Sequence, residues 1–192
     1  MQIKIATTNP NKIRRLKSLI KMVNPESRIS DITGLNIPAP IEDGKNRTEN
    51  LMIKLNYYHK LLGDNVIAED DIIELQVGDE FIPIISINSF ITASDNQFSE
   101  WKKYFKDHNV SKGRLVKYYG IILDEIIRTE EVIIPIMIDT KAESSNQNEK
   151  NILNNFIGPE AIGRTYVEMT TPERDAYMQT MCLPVLIKLF TK

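Results

Sequence analysis

The sequence predicts an α/β fold with a mixed sheet. Two observations carry this: amphipathic helical segments alternate with short apolar strand-like runs, and two later runs read as a hairpin, which adds antiparallel pairing to crossover connections. No segment repeats at a fixed period. From Met1 to Ala6, Ile3 and Ile5 alternate as in a strand, and Ile13, Leu16, Ile20 and Val23 then recur at helical spacing. Between them lies Thr7-Thr8-Asn9-Pro10-Asn11-Lys12. Asn9 suits an N-cap because its side chain accepts from free N–H groups, and Pro10 suits the first helical position because it has no N–H to lose. This helix start is either a capped terminus with a solvated lysine or an anion site. Free N–H groups, the positive end of the helix dipole and Lys12 would all favour a phosphate there.

Pro25, Gly34, Pro38 and Pro40 mark a loop-rich stretch with one strand around Arg28 to Ile32. A helix is expected from Thr48 to Leu62, with Leu51, Leu55, Tyr58 and Leu62 on its apolar face and Gly63 as its stop. Val66 to Ala68 reads as a short buried strand ending at Glu69-Asp70-Asp71, and Ile72 to Val77 resumes strand character. Phe81 to Ile91, interrupted by Pro83, reads as a strand with an irregular start. Around Gln97 to Lys106, Phe98, Trp101 and Phe105 fall on one helical face and are read as core. Arg114 to Ile127 and Val132 to Ile138 form the expected hairpin, joined through Arg128-Thr129-Glu130-Glu131. Residues 141–150 are a polar loop. Thr171 is expected to cap a last helix opened by Pro172, with Glu173 near its positive end and Pro184 kinking or dividing it.

At 192 residues the chain is read as one domain able to bury a real core. Lys and Arg number 24 against 26 Asp and Glu, so no global basic field points to nucleic acid or an anionic membrane. Cys182 stands alone and only His59 and His108 accompany it, which excludes an intrachain disulfide and a thiolate or imidazole zinc cluster. Any metal must be held mainly by oxygen. With no basic-then-apolar leader and no apolar run of about eighteen residues, a soluble cytoplasmic protein is expected.

Three more sites are informative beside the opening turn: Glu42-x-Gly44, Glu49-Asn50-x-x-x-Lys54 and Ala68-Glu69-Asp70-Asp71. Carboxylates, two lysines and a phosphate-ready helix start are what a triphosphate with Mg²⁺ requires. Mg²⁺ takes one or two carboxylates and fills its shell with waters and phosphate oxygens, and Glu42 and Asp70 fit that demand. A second acid could orient or deprotonate an attacking water, and the lysines could neutralise a leaving pyrophosphate. Each piece also has a structural reading. Glu42-Asp43-Gly44 can be an ordinary turn, Glu49 a dipole complement, Lys54 a solvated helix residue, and Glu69-Asp70-Asp71 a guarded strand end.

In this order the residues resemble the inosine triphosphate pyrophosphatase family, whose members hydrolyse non-canonical purine nucleoside triphosphates to monophosphate and pyrophosphate. Ala6 to Lys12 is similar to the family's Ala-Thr-x-Asn-x-x-Lys phosphate loop. Glu42 to Gly44 with Glu49 to Lys54 is similar to its Glu-x-Gly and Glu-Asn-Ala-x-x-Lys stretch, and Ala68 to Asp71 to its Ala-Asp-Asp-Ser-Gly segment. Gly163 to Met169 with Pro172 to Ala176 resembles its C-terminal Thr-(Phe/Tyr)-Ala-Glu and Glu-Lys-Asn sequence. The resemblance implies an elongated mixed sheet flanked by helices, two lobes around a nucleotide cleft, and a homodimer. It also implies that Glu42 and Asp70 serve Mg²⁺ and water activation, with Asp70 as the base. Thr7, Asn9, Lys12 and Lys54 would handle phosphates, and Arg174 would contact the nucleotide.

Several family features are missing. Asp71-Ile72 replaces Ser-Gly, and the Pro-Gly-x-x-Ser-Ala-Arg loop has no counterpart in Phe81 to Ile91. The Phe-Gly-Tyr-Asp-Pro segment is not recognisable near Ile152 to Ile157, and Met178-Gln179-Thr180 stands where a Ser-His-Arg triplet would read the purine. Gln179 can bond a base edge but brings no positive charge to a purine carbonyl, so base choice should be changed or relaxed. The expected function is Mg²⁺-dependent hydrolysis of nucleoside triphosphates. The alternative is a weak or inactive relative that binds a nucleotide or a protein partner. A metal-dependent nuclease is disfavoured by the neutral charge and the lack of an aromatic-basic track.

Overall fold

β1 (Gln2–Ile5) buries Ile3 and Ile5 and pairs in parallel with β2 (Arg28–Asp31) on one side and β3 (Asn65–Val77) on the other. α1 (Pro10–Val23) connects β1 to β2, and α2 (Arg47–Leu62) connects β2 to β3, as parallel neighbours require. The computed structural model describes residues 1–63, 65–91, 96–143 and 151–191, without the side chains of 88–90. Beyond β3 come β4 (Glu80–Pro83), α3 (Ile84–Ile91), α4 (Gln97–Asp107), β5 (Lys112–Leu123), β6 (Ile126–Ile138), β7 (Ile157–Pro159) and α5 (Thr171–Thr191). Hydrogen-bonded strands follow the order β2-β1-β3-β5-β6-β7, with β4 antiparallel on β3 and β7 antiparallel on β6. The mixed α/β sheet is the architecture the sequence predicts.

Contacts divide the chain into two compact units. The first comprises Met1–Asp71, Lys117–Val132 and Tyr177–Lys192; the second comprises Ile72–Val116 and Ile133–Ala176. In the first, Leu51, Leu55 and Tyr58 of α2 pack with Ala6, Val66, Ala68 and Ile122 of the strands. Gly120 permits this approach, since a Cβ there would lie 2.5 Å from Leu55 Cδ1. In the second, Trp101 stacks on Phe105 at 5.4 Å between ring centroids, and Phe156 meets Phe98 and Phe105 at 4.5 and 5.3 Å. Trp101 and Phe105 are buried core, as their spacing predicts, and Phe98 is half-buried beside them. Ile152–Asn155 is a short 3₁₀ turn that delivers Phe156 into that core.

Five local expectations are corrected. The tandem acids lie inside a continuous β3 and not at a strand end, because the β-branched residues on both sides keep the backbone extended. Residues 84–91 are helical: Ile84, Ile87 and Ile91 recur at i, i+3 and i+7, and Ile87 and Ile91 are buried. The hairpin turns at Asp124-Glu125 and not at 128–131. Both residues are left-handed (φ 48° and 66°), as two-residue hairpin turns favour, and no glycine advertises it. Pro184 does not divide α5, which continues through it with Cys182, Val185, Leu186 and Leu189 buried on either side. Finally, Thr170 replaces Thr171 as the cap. Its hydroxyl and amide both donate to Glu173 Oε2, at 2.8 and 2.7 Å, and the hydroxyl accepts from the Glu173 amide. Of the expected 141–150 loop, residues 144–150 lie outside the described residues.

The Thr170 cap gives a pH-dependent prediction. The bond from Arg164, then those from the Thr170 amide and hydroxyl, lower the Glu173 pKa from 4.5 to about 2. A depressed carboxyl contributes stability that is full above the unfolded pKa and is lost as pH falls through the folded one. In thermal melts, Glu173→Gln should therefore be less stable than the unaltered protein at pH 6, with the gap closing by about pH 2.

Candidate active site

The parallel register sets Ile3 against Asn65 and Ile5 against Ile67, and the Ala6 amide donates to Ile67 O at 2.8 Å. The same register carried forward sets the Thr7 turn beside Glu69-Asp70-Asp71. Strand order reverses at β1, since β2 lies on one side and β3 on the other. The carboxyl ends of parallel strands at such a switch point are where open α/β sheets bind ligands. Asn9 caps α1 as expected: its Oδ1 accepts from the amides of Asn11 and Lys12 at 3.0 and 3.4 Å, and Thr7 Oγ1 accepts from the Asn9 amide at 3.2 Å.

Alternation along β3 separates the three acids. Asp70 falls on the face of Val66 and Ala68, toward α2, where its Oδ2 lies 3.4 Å from Arg47. Its Oδ1 accepts from the Asp71 amide at 2.9 Å. Glu69 and Asp71 fall on the opposite face. There Lys12 contacts Asp71 at 3.1 Å, and Lys117 contacts Glu69 at 2.6 Å and Asp71 at 3.2 Å. Arg15, one turn beyond Lys12 on α1, closes the chain of charges by donating to Glu69 Oε1. Burial alone would raise the Asp71 pKa, but Lys117 and Lys12 hold it well below the usual carboxylate range. Burial likewise works against the Arg15 charge, and Glu69 overcomes it.

Glu42 and Lys54 meet at 3.0 Å. The motif around them is built by α2's first turn: Asn46 Oδ1 accepts from the Glu49 amide at 2.9 Å, and Glu49 accepts from the Lys45 amide at 2.8 Å. Asn50 Oδ1 accepts from the Gly44 amide at 2.7 Å. Only glycine fits there, because a Cβ would lie 2.7 Å from Asn50 Oδ1 and 2.8 Å from Glu49 Cβ. The Glu-x-Gly and Glu-Asn motifs thus fold one loop onto one helix start. Glu49 acts as the dipole and capping residue of its structural reading.

Thr7, Asn9, Lys12, Glu42, Lys54, Asp70 and Gln179 all belong to the first unit, and Arg174 belongs to the second. Gln179, on α5, donates from Nε2 to Ser18 Oγ of α1 at 2.9 Å. Arg174 donates from Nε to Met169 O at 3.1 Å. The sequence reading missed Arg15, Arg47 and Lys117. Lys117 left a signal, a lone cation within the strand-like run Leu115 to Tyr119, and Arg15 sits three residues after Lys12 on the same helix. Asp71 is held by two lysines, Glu42 by Lys54, and Asp70 by the longer contact to Arg47. Among the described residues no three His, Cys, Asp or Glu side chains form a metal-binding group.

The model of the Ham1 family matches residues 3–179. The chain belongs to the Ham1 family. No curated protein matches its sequence. Among solved structures it resembles the Ham1 protein of Staphylococcus aureus, with TM-score 0.74 and 16% identity over 99% of this chain and 98% of that one. It also resembles a Ham1 protein of Coxiella burnetii, with TM-score 0.73 and 16% identity over 100% and 98%. A nucleoside-triphosphatase (dITP/XTP pyrophosphatase) of Mycobacterium abscessus gives TM-score 0.69 and 18% identity over the whole of both chains. At these identities the neighbours show the Ham1 fold. The family match is what bears out the resemblance read from the motifs.

Proposed function

We propose that this Ham1-family protein hydrolyses non-canonical nucleoside triphosphates to nucleoside monophosphate and pyrophosphate, with Mg²⁺. The observation that carries the reading is the β1–β3 register, which brings the capped start of α1 to the Glu69-Asp70-Asp71 stretch where strand order reverses, with Lys12 on Asp71. One solved neighbour with this fold bears the name dITP/XTP pyrophosphatase, in keeping with such a substrate.

The donor chemistry fits Mg²⁺. Glu42 and Asp70 offer hard oxygen ligands, as suits an ion that takes one or two carboxylates and completes its shell elsewhere. When bound, Mg²⁺ neutralises phosphate charge and polarises the phosphoryl group. Asp70 accepts the proton of the attacking water. The Thr7–Lys12 turn and Lys54 hold the phosphates; the two lysines are 17% and 15% exposed, each paired with a more exposed acid, Asp71 and Glu42. Arg174 and Gln179 are assigned to the nucleoside end, both units serve one catalytic domain, and the protein works as a cytoplasmic homodimer. Among the described residues no helix is long and apolar enough to cross a membrane.

The test is to incubate the protein and Asp70→Asn with ITP, XTP, dUTP and the ordinary triphosphates plus Mg²⁺, following monophosphate and pyrophosphate. Turnover of at least one substrate above the Asp70→Asn control is expected, and none would reject the reading. A second reading, a binding protein without turnover, is favoured by one observation: the Gln179 side chain already commits one of its two N–H donors to Ser18, which ties it to α1. It predicts nucleotide binding in calorimetry with no hydrolysis.

A further inference from the structure

We infer that Lys117 and Asp71 regulate how strongly Lys12 attracts a polyphosphate, acting as positioning residues behind the phosphate turn. The inference rests on the reading of that turn as a phosphate site. Arg15, Glu69, Lys117, Asp71 and Lys12 alternate in charge along one continuous chain of contacts. Three cations face two acids, so the chain carries one surplus positive charge. Lys117 and Glu69 at its centre are 2% and 0% exposed, where water does little to spread that charge. Glu69 uses a single oxygen, Oε1, for both Arg15 and Lys117, and its buried Oε2 has no hydrogen-bond partner among the described residues. Lys117 therefore leans on Asp71 as well, at 3.2 Å, and competes for it with Lys12 at 3.1 Å. Because Asp71 is divided, Lys12 is only partly neutralised. Its remaining charge is available to an anion at the start of α1.

This competition fixes the sign of each substitution. Without the Lys117 charge, Asp71 belongs to Lys12 alone and the chain falls into two neutral pairs. Without the Asp71 charge, Lys12 is fully released. Without both, Lys12 is again the surplus cation, beside a closed Arg15–Glu69 pair.

Calorimetric titration with inorganic tripolyphosphate tests this. Lys117→Met should bind about tenfold more weakly and Asp71→Asn about tenfold more tightly, the scale of a unit charge acting over about 12 Å at an effective dielectric of about 20. The double variant should return to within about threefold of the unaltered protein, because the surplus is restored. A purely structural role for Lys117 would leave the double variant at least as weak as Lys117→Met, and that result overturns the inference. If Lys117→Met does not fold, Asp71→Asn alone decides: unchanged or weaker binding overturns it. Equal affinities in every protein overturn only this inference, whereas no binding by the unaltered protein removes the phosphate reading with it.

Discussion

Replacing Asp70 by asparagine should slow nucleoside triphosphate hydrolysis by roughly two to four orders of magnitude, the usual contribution of a positioned general base. Folding should change little. Asp70 gives Arg47 a contact of 3.4 Å, and Arg47 keeps 27% of its side chain exposed, so the ion pair is long and partly screened. The pair of readouts separates chemistry from stability: kcat falls while the melting temperature stays within a few degrees. A variant that retains most of its kcat would move the base elsewhere, and one that unfolds would make Asp70 a structural residue.

Glu69→Gln carries the largest expected effect on stability. Glu69 is completely buried and accepts from both Arg15 and Lys117, so neutralising it leaves buried Lys117 and half-buried Arg15 with one anion, Asp71, at the far end. Breaking a buried ion pair by removing one partner costs on the order of 3–5 kcal/mol, more than replacing the whole cluster with apolar groups. By contrast, Lys17→Met breaks only the pair with Asp31, whose lysine is 44% exposed, and should cost at most about 1 kcal/mol. Denaturant melts of the two variants side by side check the contrast. Equal losses would mean that the Arg15–Glu69–Lys117 cluster is more hydrated than its burial implies.

The capped start of α1 was legible, because its signals are local. Asn9 caps, Pro10 begins the helix and Leu16 and Ile20 turn inward, all within one or two turns. The motif at Glu42, Gly44, Glu49 and Asn50 was equally readable, since its hydrogen bonds span at most a few residues. The reading failed where long-range pairing decides. Glu69-Asp70-Asp71 looked like a solvated strand end because no nearby residue reveals that Lys117, 46 and 48 residues later, neutralises two of them on one face. The Asp124-Glu125 turn escaped because its left-handed residues carry side chains, and Asp124 is steadied by a hydrogen bond from its backbone amide to Asn65 Oδ1, 59 residues away. Residues 84–91 were ambiguous for a different reason. An isoleucine-rich run satisfies strand and helix patterns at once, and only burial of Ile87 and Ile91 chooses between them.

A water activated by Asp70 should cut the triphosphate between its α- and β-phosphates. The decisive measurement is phosphorus NMR of ITP incubated with the protein and Mg²⁺, compared with Asp70→Asn. Inosine monophosphate and pyrophosphate should appear together in equal amounts with the unaltered protein and stay at background with the variant. Release of inosine diphosphate and orthophosphate, or equal product from both proteins, would contradict it.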